Sequence, residues 1–173
     1  QTPSDLKGMK IFTWAGDFKW ERLWEKAGYN PVPLASVDIL SGLQTGLINS
    51  FSTIPLYALS QQSFGIANHM LDLKWGVLMA GIVIDLRSWK RISKKYHKDL
   101  IQITKKIQNE QKKLNSTAEQ KSIEAMKEYG LKVHSVNNNE IDLWQKEVER
   151  MSPNLRGHII PEEVFDMVIK LTQ

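Results

Sequence analysis

Lys10-Ile11-Phe12-Thr13-Trp14-Ala15-Gly16-Asp17, followed by Phe18–Ala27 and Gly28, is the stretch whose reading decides the fold. Lys10–Ala15 is rich in β-branched and aromatic residues and follows the turn signal Lys7-Gly8, so it reads as a strand. Gly16-Asp17 breaks it. Asp17 is placed to cap a helix over Phe18–Ala27, which Gly28 closes. The same punctuation continues outward. Pro31–Leu34 reads as a short strand. A helix starts at Ser36 or Asp38, buries Ile39, Leu40 and Leu43 on one face and ends at Gly46. Ile48–Ile54 reads as a strand, and Pro55 opens a helix running to about Phe64. His69–Leu73 and the apolar run Gly76–Asp85 complete the series as two strands. Helix and strand in alternation predict an α/β fold with a mostly parallel sheet flanked by helices.

The second half has another texture. Arg87–Arg91 reads as a short helix. From Ser93 to about Tyr129 there is neither Gly nor Pro. Tyr96, Leu100, Ile103, Ile107 and Leu114 form one stripe of a long amphipathic helix, with a weak point at Asn115-Ser116-Thr117. Gly130 ends it. A strand at Lys132–Val136 and helices at about Asn139–Met151 and Pro161–Leu171 follow. A straight helix of thirty-odd residues is about 50 Å long, and a globule of this size is roughly 40 Å across. The helix therefore bends, pairs with another chain, or packs on a domain that lies outside these residues. The expected division is an α/β domain over 1–92, which the resemblance given below implies is a ligand-binding lobe, then the long helix, a returning strand and C-terminal helices over 93–173.

Composition narrows the chemistry. The 173 residues contain no Cys, which removes disulfides, thiolate metal sites and thiol nucleophiles. Six Trp, five Phe and four Tyr argue against disorder. The longest apolar run, Gly76–Ile84, is far shorter than the ~20 residues of a membrane-spanning helix. The opening Gln1-Thr2-Pro3-Ser4-Asp5 reads as linker, as in a mature form or a piece of something longer. Arg87–Lys98 holds six Lys or Arg and no acid. That run is either an anionic-surface patch or, the blander reading, the solvated start of the long helix. Nucleic acid is not expected, because aromatics do not interleave with it as base stacking needs.

Enzyme templates find no match. His69, His97, His134 and His158 are scattered without metal-ligand spacing. There is no nucleophile elbow and no phosphate-binding glycine loop, and Gly42-Leu43-Gln44-Thr45-Gly46 reads as a helix end. No catalytic residue, cofactor or metal is expected. What remains is Trp14-Ala15-Gly16-Asp17 at the carboxyl end of the first strand, where open α/β sheets bind ligands. Trp14 offers an apolar wall. Asp17 is either a ligand acceptor or only a cap.

From Asp5 the chain resembles the DctP-like solute-binding proteins of TRAP transporters, the tripartite ATP-independent periplasmic uptake systems. The resemblance rests on Asp5-Leu6-Lys7-Gly8-Met9-Lys10-Ile11, on Ala27-Gly28-Tyr29-Asn30-Pro31-Val32-Pro33-Leu34 and above all on Asp38–Asn49, whose Leu43-Gln44-Thr45-Gly46 is similar to the family's "LQTG". Ile84–Trp89 before a long helix and Gly130-Leu131-Lys132-Val133 also resemble it. It implies a periplasmic-binding-protein-like fold of two lobes, of which this chain is the second, with the first lobe absent from these residues. It implies an extracytoplasmic bacterial receptor that captures a small organic solute and delivers it to TRAP membrane permease subunits. The expected partners along the long helix are the missing first domain or another copy of the chain.

Two departures bear on the solute. The family typically has an Arg in the strand after "LKG" that pairs with a substrate carboxylate; here the matching position is Phe12. The family's following "VDG" and Asn become Ile48-Asn49-Ser50 and Thr53. The resemblance thus implies a rather apolar pocket with Trp14, Thr53 and Leu56 as walls and Phe12 and Asp17 beside them, taking a hydrophobic or neutral solute, or an acid held in another way. The alternative is an interaction module that uses the long helix for oligomerisation and binds no small ligand.

Overall fold

The computed structural model describes residues 2–74, 76 and 81–172. Its element order is α1 (Pro3–Lys7), β1 (Lys10–Trp14), α2 (Phe18–Lys26), β2 (Asn30–Leu34), α3 (Ile39–Gln44), α4 (Pro55–Ser60), β3 (His69–Asp72), α5 (Leu86–Arg91), α6 (His97–Glu128), β4 (Lys132–Ser135), α7 (Asn138–Met151) and α8 (Glu162–Thr172). This is the expected α/β architecture of parallel strands flanked by helices.

The parallel pairing is divided between two small sheets. β1 and β2 run in register from Lys10 opposite Asn30 to Trp14 opposite Leu34. β3 and β4 run from His69 opposite Lys132 to Asp72 opposite Ser135. The prolines explain why β2 is an edge. Ala15 N–H donates to the Leu34 carbonyl, so the alternating residues Asn30, Val32 and Leu34 face β1. Pro31 and Pro33 then point their missing donors outward, where no ladder needs them.

β1 divides two apolar clusters by simple alternation. Ile11 packs with Leu23, Ala27, Tyr29 and Met151, whereas Phe12 packs with Ile39, Leu43 and Ile48. Gly42 belongs to the second layer by close approach: a methyl group there would meet Leu34 Cδ1 at 3.0 Å and Ile48 Cγ1 at 3.1 Å. Met151 comes from α7, so the end of the chain closes the core that its beginning opens. A polar tie reinforces this. The Glu147 carboxylate accepts from Tyr29 Oη at 3.0 Å and from Arg150 Nη2 at 2.7 Å, and it pairs with Lys7 Nζ at 3.0 Å. Arg150 Nη2 also donates to the Ala27 carbonyl. The Arg150 guanidinium, helped by Lys7 and Tyr29, holds the Glu147 carboxyl down to about 2 against the penalty of its burial. Burial and the neighbouring carboxylate push the Tyr29 phenol up.

Several local expectations are corrected. The strand expected over Ile48–Ile54 reduces to a single parallel bridge between Ser50 and Ile11. Asn49 Oδ1 accepts the Lys10 N–H, and the chain leaves for α4 at Pro55, so no longer ladder forms. The expected strand Gly76–Asp85 falls partly outside the described residues, and residues 81–85 carry no strand pairing. The opening residues are not linker: Thr2 and Asp5 make a capping box around Pro3, with Thr2 N–H donating to Asp5 Oδ2 at 2.8 Å. α4 stops at Ser60 instead of reaching Phe64, because Gln62 adopts a left-handed φ of 54°. α6 is a single helix of 32 residues, continuous through Asn115–Thr117, hence about 48 Å long. Its carboxyl-terminal part buries Ser122 and Met126. Nearer its start, Tyr96, Ile101, Ile103, Ile107 and Leu114 stay exposed.

Candidate functional site

Three chain segments come out at one end of the first sheet. β1 delivers Trp14 and β2 delivers Leu34. Ser50 sits alongside β1, its carbonyl accepting from Phe12 N–H at 2.8 Å. Parallel pairing is what brings all three to the same edge.

Alternation places Phe12 and Trp14 on the same face of β1. Their rings meet edge to face, centroids 5.4 Å apart at 69°. Phe12 is only 7% exposed, locked among Ile39, Leu43 and Ile48, whereas Trp14 is 56% exposed. The indole is thus a solvent-facing plate held from below by a core ring. Behind it the chain must reverse from strand to helix within three residues. Gly16, at φ 95°, makes that turn. Asp17 N–H donates to the Trp14 carbonyl at 3.1 Å, and the Asp17 carboxylate accepts from Trp20 N–H at 3.5 Å as the N-cap of α2. Asp17 therefore does the work of a cap, with a long bond, and stands half-buried at the rim.

Thr53 is exposed on the segment that leads into α4, and Leu56 is 45% exposed on the first turn of that helix. Pro55 is buried between them, and Tyr57 Oη donates to the Ser36 carbonyl at 3.5 Å, fastening α4 over the turn that follows β2. The structure brings Phe12 and Trp14 into direct contact and sets Asp17 behind them. Thr53 and Leu56 follow the Ser50 bridge in the chain. Sequence reasoning passed over two further exposed apolar side chains, Phe18 and Ile54. Their signal was available: each flanks a residue already singled out, Phe18 after Asp17 and Ile54 before Pro55. The arrangement is an open apolar shelf with one carboxylate at its rim, suited to laying a small organic molecule against an aromatic plane. Among the described residues no group of three or more His, Asp or Glu side chains is placed to hold a metal ion.

Ile82, Ile84, Leu86, Trp89, Leu100 and Ile101 line a groove of about 410 Å³ between the approach to α5 and the start of α6.

Residues 1–156 match the bacterial extracellular solute-binding protein family 7, DctP. The 2,3-diketo-L-gulonate-binding periplasmic protein YiaO of Escherichia coli K12 is 28% identical over 136 residues, 77% of this chain and 40% of YiaO. The fold is similar to the TRAP periplasmic solute-binding protein of Shewanella oneidensis solved with bound succinate, with a TM-score of 0.89 at 17% identity, covering 99% of this chain and 56% of that one. It is also similar to that of Desulfovibrio salexigens in complex with diglycerolphosphate, with a TM-score of 0.81 at 19% identity, covering 98% and 53%. The chain thus spans about half the length of the solved receptors and less of the curated relative. On the family match over most of its length, this chain belongs to the bacterial extracellular solute-binding proteins of family 7.

Proposed function

We propose that the chain is the solute-capturing second lobe of a TRAP-type extracytoplasmic receptor. It takes up a small organic molecule at the tips of its parallel strands and, once closed on it, presents it to a membrane permease. The observation that carries this reading is Trp14. A large aromatic ring more than half in solvent, braced by a buried one at the carboxyl end of a parallel strand, has no use in the core. The family match supports a binding role over a catalytic one. Phe12 in place of a cation favours a solute with an apolar face, since an aromatic ring offers no fork for a carboxylate. An acid would need its polar contacts from Asp17's neighbours, from Thr53 or from the opposing lobe. The relatives' ligands differ among themselves, succinate in one and diglycerolphosphate in another. Among the described residues no helix is long and apolar enough to cross a membrane.

The groove beside α5 and the bare stripe of α6 fit the same reading. We infer that the first lobe covers them, so that α6 serves as the shared spine of a clamshell. The test is a thermal-shift screen of the two-lobed receptor against dicarboxylates, sugar acids, polyol phosphates and neutral apolar solutes. A true ligand at a hundred times its Kd adds about 2.7 kcal/mol. A hit that persists in a Trp14→Ala receptor would move the site elsewhere, and a screen without hits would favour the second reading. That reading is an interaction module, and the exposed stripe Tyr96–Leu114 is the observation in its favour.

A further inference from the structure

Arg87, Lys90, Arg91, Lys94, Lys95 and Lys98 place six cations within twelve residues that contain no acid. All six are exposed, spread over α5, the 3-10 turn Lys94–Tyr96 and the first turn of α6. Among the described residues none of them takes part in an ion pair, and Lys95 alone rests on an aromatic ring, that of Tyr96. Lys94 and Lys95 stand where the fold disfavours them, whereas Lys90 and Arg91 lie in the last turn of α5, where the helix dipole favours cations. A helix N-terminus is the positive end of the backbone dipole and favours anions. Yet α6 begins directly after Lys94-Lys95 and has Asp99 as its one acid in the first turn. Like charges so crowded also repel one another. Among the described residues no acid forms an ion pair with them, so the patch is open to an outside partner.

None of the six cations lines the groove. At 100° per residue, Arg87 and Arg91 lie on the side of α5 opposite Leu86 and Trp89, while Lys90 lies about 40° from Leu86. Four of the six are lysines, point charges on flexible stems that suit a diffuse field of phosphodiesters better than one fixed carboxylate. Basic clusters of this size next to a helix are what anionic bilayers attract. We propose that Arg87–Lys98 docks this protein on an anionic phospholipid surface. The inference goes beyond solute capture and does not depend on it.

The experiment is co-sedimentation of the 173-residue chain with phosphatidylcholine vesicles, with and without phosphatidylglycerol, at low and high salt. Binding is expected only to the phosphatidylglycerol vesicles, and salt should abolish it. The combined variant Lys90→Gln, Arg91→Gln, Lys94→Gln and Lys95→Gln should lower the partition coefficient by roughly a hundredfold or more. The control Lys105→Gln, Lys112→Gln, Lys121→Gln and Lys127→Gln removes the same charge from elsewhere on α6 and should retain most of the binding. Equal losses in the two variants would reduce the effect to net charge and overturn the proposal. So would equal binding to neutral vesicles, which would point to the apolar groove. Absence of binding would overturn it too, leaving an acidic protein face as the occupant.

Discussion

Phe12 and Trp14 are two residues apart, touch each other, and should fail in opposite ways when cut to alanine. Trp14 is already in water over half its surface, so Trp14→Ala should cost the fold less than about 1 kcal/mol. A bound solute would lose its wall, and Kd should rise about tenfold or more. Phe12→Ala opens a hole among Ile39, Leu43 and Ile48 and should cost about 3–5 kcal/mol of stability. Urea melts together with calorimetric titration of whichever solute the screen finds separate the two. A Trp14→Ala protein that melts early but binds normally would make the indole a core residue after all. None of the four His stands at the shelf, and their replacement should leave affinity intact. Glu147 predicts a pH dependence. Its carboxyl falls from an ordinary 4.5 to about 2 in the fold. The folded protein therefore gains stability from this group above pH 4.5, and loses it as pH falls from there through about 2. The gain is on the order of 3 kcal/mol. Glu147→Gln should lower stability at pH 7 and flatten the acid limb between pH 4.5 and 2 in denaturant melts; an unchanged acid limb would assign the acid sensitivity elsewhere.

At the level of elements, punctuation was more legible than pairing. Asp17, Gly28, Gly46, Pro55 and Gly130 mark helix ends that a reader of the sequence can place, because each acts through its own backbone preferences. Whether a β-rich segment becomes a strand depends on a neighbour's free edge, which lies elsewhere in the chain. Ile48–Ile54 has a strand's composition, yet past Ser50 it gains no ladder. α1 is the reverse case. Thr2-Pro3-Ser4-Asp5 carries a capping box with Pro at the first turn, a local signal hidden by the linker-like composition around it. α7 has the stronger form of that signal. Asn137 Oδ1 accepts from Glu140 N–H at 3.1 Å while Glu140 Oε2 accepts from Asn137 N–H at 2.8 Å. Asn137→Ala should cost about 1 kcal/mol. Because α7 carries both Met151 and Glu147 into the core, the loss should appear in the global melt and not as local fraying. At the shelf, Trp14 and Asp17 were legible from the break after β1. The burial of Phe12 was not, because it depends on α3 folding over that face.

Across the whole molecule, the unmatched quantity is apolar surface. α6 is about 48 Å long, and Tyr96, Ile101, Ile103, Ile107 and Leu114 stand exposed along it while the groove at Ile82, Ile84 and Leu86 lies open. Contiguous patches of this kind seek cover. The solved receptors that share this fold are about twice as long, and on the two-lobed reading the other half is the cover. Alone, the 173-residue chain should then bury the stripe against a second copy. Light scattering is expected to give a mass well above the 19.9 kDa of one chain. Ile103→Gln with Ile107→Gln should return it to that mass while the chain stays folded, because neither side chain is buried in the single chain. Adding the first lobe should have the same effect, since it competes for the same face. A single-chain mass with the stripe unaltered would mean that these residues tolerate water. The long helix would then need no partner, and the clamshell reading of α6 would fall while the solute shelf at Trp14 remained to be tested by its own variant.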